Sequence, residues 1–191
     1  VYRYEGTIAQ LLGDGVLAFF GAPIAHEDDP VRAVNAALDI QAAIGEYRNE
    51  LKQKKRVDDF KMRVGLNTGL VVVGNIGSDM HVEYLAVGDT VNLAARMQSA
   101  ADANTILISH NTQRLARHMF DLESRGELEV KGKAERVPAY RVLARKAIPE
   151  SARGIEGLSS PLVGREKELG AMQARIDELE RGRGQIVAVM G

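Results

Sequence analysis

Cysteine is absent from the 191 residues. Disulfides and thiolate-held metal centres are therefore excluded, and the composition suits a reducing cytosol. A dominant charge is missing as well: 25 Lys and Arg stand against 26 Asp and Glu, a formal charge of −1. The chain thus lacks the basic excess with which nucleic-acid and membrane-surface binders hold phosphates. No long hydrophobic run exists. The longest, Val16 to Ala25, is interrupted by Gly21 and Pro23 and is too short to span a bilayer. No signal peptide is visible, and since the chain starts at Val1, a targeting segment upstream would not be seen. What is present supports a real core: 45% of residues are hydrophobic, in a length that suits one ordinary domain plus part of another.

Thr7 to Leu12 and Val16 to Phe20 are β-prone runs joined at Gly13-Asp14-Gly15, and Asp-Gly is a strong hairpin signal. Asp28 or Asp29 before Pro30 reads as an N-cap followed by proline in the first helical turn. Val31, Val34, Leu38, Ala42 and Ile44 then carry helical periodicity to about Lys52, and Lys52 to Arg56 reads as a solvated helix end. A strand over Lys61 to Leu66 meets a turn at Asn67-Thr68-Gly69, with Leu70 to Val73 extended beyond it. A strand at Val82 to Val87 runs into Gly88-Asp89 and a helix. Thr105 to Ser109 is a strand, Asn111 to Arg117 a short helix, and two further strands end near Leu143. Strands and helices interleaved with hairpins predict an α+β sandwich with helices packed on an antiparallel-rich sheet.

Val87 to Arg96, VGDTVNLAAR, is the most informative stretch. Asn92 and Arg96 are spaced i, i+4, so an amide and a guanidinium share one helix face near its start. That arrangement suits a phosphate or ribose. It is equally an ordinary amphipathic helix with Asp89 as N-cap and a polar outer face. His26, just before a helix start, reads as a solvated loop histidine, and the four histidines form no metal cluster in sequence.

VGDTVNLAARMQSAA resembles the signature helix of the class III adenylyl and guanylyl cyclase catalytic domain. LLGDGVLAFFGAP (Leu11 to Pro23), MRVGLNTG (Met62 to Gly69) and ELEVKGKAERVPAYRV (Glu127 to Val142) resemble further motifs of that family, in order and spacing. The resemblance covers residues 1–143 and implies the ferredoxin-like cyclase sandwich, here without its first strand. It implies conversion of ATP, or GTP, to a 3′,5′-cyclic nucleotide and pyrophosphate in intracellular signal transduction. It also implies two divalent cations, Mg²⁺ or Mn²⁺, held by carboxylates.

Residue by residue, Asp14 matches the family's second metal-binding aspartate; the first would lie upstream of Val1, so these residues alone are not expected to assemble the metal pair. As a residue between two glycines, Asp14 is also a good turn former. Asn92 and Arg96 match the ribose-orienting and transition-state-stabilising residues. Arg63 matches a phosphate-contacting arginine, with a sheet-surface arginine as the plain alternative. Lys131 matches a lysine near the triphosphate, with an ordinary loop lysine as its alternative. The base-reading positions depart from the pattern. Where many adenylyl cyclases have Lys this chain has Gln10, and where they have Asp or Thr it has Leu85. Gln can donate and accept at a purine edge, whereas Leu can do neither.

The resemblance further implies active sites between two domains, one supplying metal aspartates and the other Gln10, Leu85, Asn92 and Arg96, in a homodimer or with a second cyclase domain. Residues 144–160, with Pro149, Gly154 and Gly157, read as a linker. Residues 161–191 resemble the opening of an AAA or STAND-type NTPase module, a P-loop α/β domain: PLVGREKEL starts a helix and GQIVAVMG is a buried-strand pattern. The lysine and hydroxyl residue of the phosphate-binding loop are not within Val1–Gly191. The expectation is a cytoplasmic cyclase domain followed by such a module. The rival is a degenerate cyclase-like domain that binds nucleotide or a partner without turnover and regulates the attached module.

Overall fold

The computed structural model describes residues 1–54, 60–76, 83–128, 136–148, 164–184 and 186. The chain parts into two compact units, Val1–Glu150 and Ser151–Gly191.

In the first unit, a short 3-10 turn precedes β1 (Thr7–Leu12) and β2 (Gly15–Phe19), an antiparallel hairpin with a bulge between Ile8 and Gln10. The expected Gly13-Asp14 turn closes it, with Gly13 at φ 60°. α1 (Asp29–Gln53) follows, with Pro30 in its first turn where the missing N–H costs nothing. The Asp28 carboxylate accepts from Arg32 Nε at 2.7 Å, which holds its pKa below the usual range. His26 is not a free loop histidine. Its ring lies 3.2 Å from both Asp29 and Glu5 and is about three-quarters covered.

β3 (Arg63–Leu66), β6 (Thr105–Ser109), β8 (Val137–Arg145) and β7 (Phe120–Leu128) form a sheet in that spatial order. β3 and β6 are parallel; the other two pairings are antiparallel. β4 (Val72–Ile76) and β5 (Glu83–Val87) make a separate hairpin, so the extended run after the Asn67 turn starts later and goes further than Leu70 to Val73. α2 (Asp89–Ala100) and α3 (His110–Ala116) complete the unit.

The α+β class holds, and the sheet is covered on both faces. Every residue of β6 is buried. Alternate side chains of a strand point to opposite faces. Ile106 and Ile108 pack with Val34 and Ala37 of α1, Ala116 of α3, Phe120 and Val142. Leu107, between them, packs with Ala139 and with Leu93, Met97 and Ala101 on the α2 side. α2 therefore has one face of the sheet and α1 with α3 the other. A strand covered twice reads as unbroken apolar sequence, as Ile106-Leu107-Ile108 does.

In the second unit, α4 (Glu166–Glu180) begins within the GREKEL segment, as expected. The strand expected over 184–191 falls mostly outside the described residues.

Candidate active site

α2 is placed by an absence of side chain. A Cβ on Gly65 of β3 would lie 2.0 Å from Gln98 N, 2.4 Å from Ala94 O and 2.7 Å from Gln98 Cα. The helix backbone rests directly on the strand, which only glycine permits. Leu93 and Met97 plug the helix into the sheet. Asn92 and Arg96 each precede one of these anchors by one residue, about 100° around the helix. Their shared face consequently turns out of the core: Asn92 is exposed and Arg96 half-buried.

Asp89 does not cap this helix. Gly88, at φ 154°, occupies the N-cap position without a side-chain cap bond, and Asp89 is the first helical residue. The start of α2 is held instead from the loop after β3. Asn67 Nδ2 donates to Thr90 O at 3.0 Å, and Thr90 Oγ1 donates to Leu70 O at 2.7 Å. Sequence reasoning read Asn67 only as a turn former; this tie is visible only once helix and loop are together.

The remaining candidates lie on other elements. Gln10 is exposed on β1, and Leu85 pairs through its backbone with Gly74 in β5. β1 and β5 pack side by side, so the two elements that carry Gln10 and Leu85 are brought together. Asp14 is exposed at the β1–β2 tip. Arg63 is exposed at the other end of β3, where Nη1 reaches Ser99 O at 3.4 Å near the carboxyl end of α2. Ser99 is seven residues beyond Asn92, about 10 Å along the axis, so Arg63 and Asn92 serve opposite ends of the helix. Lys131 lies outside the described residues.

A solvent-facing carboxylate is a hard oxygen donor and suits Mg²⁺ or Mn²⁺. One carboxylate is not a site, and among the described residues no three His, Asp or Glu converge as metal ligands. A cleft of about 90 Å³, lined by Asp102, Thr105, Arg125 and Arg141 among others, contains none of the candidates. Ligand pockets start near 300 Å³, so this cleft does not hold a nucleotide. Gln10, Asp14, Arg63 and Asn92 are exposed, and Arg96 is half-buried.

Residues 5–143 match the adenylate and guanylate cyclase catalytic domain family. The chain belongs to this family. Adenylyl cyclase CyaB from P. aeruginosa is similar at 34% identity and a TM-score of 0.71, over 76% of each chain. The guanylate cyclase domain of RhGC from Catenaria anguillulae, solved in complex with GTP, is similar at 35% identity and a TM-score of 0.64, again over 76% of each. Adenylate cyclase 1 of Rhizobium meliloti is 29% identical over 145 residues, 75% of this chain and 22% of that protein. The chain spans about a fifth of the length of the curated relatives it matches.

Proposed function

We propose that this domain is a nucleotide cyclase that converts ATP, or GTP, to the 3′,5′-cyclic nucleotide and pyrophosphate. The observation that carries the reading is α2: a backbone seated on Gly65 holds Asn92 and Arg96 one turn apart on its outward face. In the reaction the ribose 3′-oxygen attacks the α-phosphorus, and negative charge builds on the phosphate oxygens. The Arg96 guanidinium, carried on a helix that Leu93 and Met97 anchor to the sheet, supplies donors to that charge. Asn92 offers a donor and an acceptor to the ribose. Arg63 and Lys131 are proposed to contact the phosphates, and Gln10 and Leu85 the base.

Divalent cations, Mg²⁺ or Mn²⁺, are the proposed cofactors, with Asp14 as one ligand and the others supplied outside the described residues. Bound there, such cations would supply activation of the attacking oxygen and would offset phosphate charge.

The domain is proposed to act as a dimer, with itself or with a second cyclase domain. The hairpin that carries Asp14 supports this. Leu11 and Val16 face each other across it and are 73% and 59% exposed. Paired apolar side chains at such exposure beside a functional residue mark a surface that a partner covers. Residues 144–160 are proposed as a linker and 161–191 as the start of an AAA or STAND-type NTPase module. A cytoplasmic location is proposed from the absence of cysteine; among the described residues no helix is long and apolar enough to cross a membrane. One feature favours the second reading, a domain that binds nucleotide without turnover: Leu85 stands where the family places a polar residue.

The test is cyclic nucleotide formation by the full-length protein with ATP or GTP and Mn²⁺ or Mg²⁺. Wild type forms product, and Asp14→Ala abolishes it. Nucleotide binding without product in the wild type establishes the second reading. Near-normal turnover in Asp14→Ala reduces Asp14 to a turn residue.

A further inference from the structure

The start of α2 has no side-chain cap of its own, yet it carries the residues on which the proposed chemistry depends. What fixes it is a chain of polar contacts that runs through the sheet's end to α3. Asn67 stands at its centre, just beyond β3. Its Nδ2 donates to Thr90 O at 3.0 Å, and its Oδ1 accepts from Ser109 Oγ at 2.6 Å. Ser109 ends β6 and is the N-cap of α3, where its Oγ accepts from Thr112 N. Next along the loop, Thr68 Oγ1 and Thr112 Oγ1 are 2.9 Å apart. A Cβ on Gly69 would stand 2.6 Å from Thr90 Oγ1, so the loop is pressed onto the first turn of α2.

Ser109 and Thr112 are both 1% exposed. Buried hydroxyls cost stability unless their partners are present and aligned. Here each is satisfied within this chain of contacts. Asn is the side chain the position calls for: one donor for a helix carbonyl and one acceptor for a hydroxyl, on a short stem. A core that needed only to be filled would place an apolar residue here.

We infer that Asn67 is a positioning residue: it holds the first turn of α2 to the sheet and so sets where Asn92 and Arg96 stand. The inference rests on the cyclase reading for its catalytic consequence, and on the geometry alone for its structural one. The Asn67 amide is engaged by Thr90 O and Ser109 Oγ, so it acts through Thr90. Replacing it by Ala removes both ties and leaves the Ser109 hydroxyl without its acceptor. Gly65 still seats the far half of the helix, so the loss is expected to be local.

Two measurements on the full-length protein test this. The first is backbone hydrogen exchange in Asn67→Ala and in wild type, read at the α2 amides from Leu93 to Met97 with α1 as the internal reference. The α2 amides are expected to exchange faster while α1 is unchanged. Equal protection of α2 in the two proteins overturns the inference whatever the activity. Faster exchange throughout, α1 included, overturns it in favour of a general loss of stability. The second is turnover. A misplacement of about 1 Å in a reacting group costs up to about 100-fold, so kcat is expected to fall toward that extent with little change in KM. In an Arg96→Ala background, Asn67→Ala is expected to add little further loss, because it acts through the residues α2 carries. Full additivity of the two losses overturns the positioning role. A wild type without cyclic product refutes the cyclase reading, and the exchange result then decides the structural inference by itself.

Discussion

Gly65→Ala is the sharpest perturbation available. One methyl group has to enter a space whose three nearest atoms, at 2.0, 2.4 and 2.7 Å, are all α2 backbone. Ordinary carbon contacts start near 3.4 Å, so the helix must retreat by more than an ångström. No rotamer change relieves the clash, because no side chain causes it. Overpacking of this kind costs about 1–3 kcal/mol, a factor of roughly 5 to 150 in the folding equilibrium. The same retreat carries Asn92 and Arg96 with it, and about 1 Å at a reacting centre costs up to about 100-fold in rate. Urea unfolding should show a lower midpoint at unchanged slope, which separates lost stability from a changed denatured state. Turnover at saturating nucleotide should fall well beyond the fraction unfolded. Gly45→Ala in α1 is the control. Nothing lies within 4 Å of its Cβ, so the helix should gain about 0.5–1 kcal/mol with activity intact. Wild-type stability and turnover in Gly65→Ala would refute the close seating of α2 on β3 and the argument built on it.

With Gln10 and Leu85 at the proposed base-reading positions, discrimination between ATP and GTP should be relaxed, with ATP modestly favoured, since Leu85 offers no polar partner whose loss would penalise the wrong edge. Gln10→Lys with Leu85→Asp should raise ATP selectivity in kcat/KM; strong wild-type selectivity that the double variant leaves unchanged assigns base reading elsewhere. Asp39 accepts from Tyr4 Oη and Arg145 Nη2, each at 2.6 Å, and these bonds, Tyr4 first, hold its carboxyl below the ordinary value of 3.8. A depressed folded pKa contributes stability above the ordinary value that is lost as pH falls toward the folded one. Asp39→Asn should therefore be less stable than wild type at about pH 7, with the gap closing below about pH 4; a constant gap in urea midpoints across that range would sink the assignment.

The elements most legible in the sequence are those whose cause is local. Thr105 to Ser109 is a strand to the residue, because an apolar β-branched run covered on both faces has no competing period. The Asp-Gly hairpin and the proline-led α1 follow from turn and cap chemistry within a few residues. Helix α2 is legible as a helix, but its cap is not. Asp89 is a good cap residue by type, yet Gly88 takes the N-cap position at a positive φ and the first turn is held by a loop some twenty residues earlier. His26 is misread for the same reason: Glu5 and Asp29 reach it through the fold, and composition cannot announce them. The site's order thus splits by range. The spacing of Asn92 and Arg96 is written into one helix. Its seat on Gly65 and its tie to Asn67 depend on contacts that a single sequence does not display.

That split bears on whether one chain suffices. Asp14 stands at the tip of a hairpin with exposed apolar flanks, while Asn92 and Arg96 face outward from a helix on the far side of the sheet from α1 and α3. An open surface of this sort stabilises a phosphate poorly until a partner excludes water, because charge interactions in water are weak. If two copies pair about a two-fold axis, each of two equivalent sites takes Asp14 from one copy and Asn92 and Arg96 from the other. Asp14→Ala and Arg96→Ala then damage different halves. Each homodimer has two broken sites, the Arg96→Ala form reduced by about 100-fold or more on the scale of one lost charge stabiliser. A mixed dimer has one site with both defects and one with neither. Random exchange of equal amounts makes half the dimers mixed, so activity should recover to about a quarter of wild type from two nearly inactive proteins. The assay is cyclic nucleotide formation before and after the two variants are unfolded together and refolded. No recovery, with mixed dimers demonstrated by differential tags, would place Asp14 and Arg96 in the same half of the site and refute the shared arrangement.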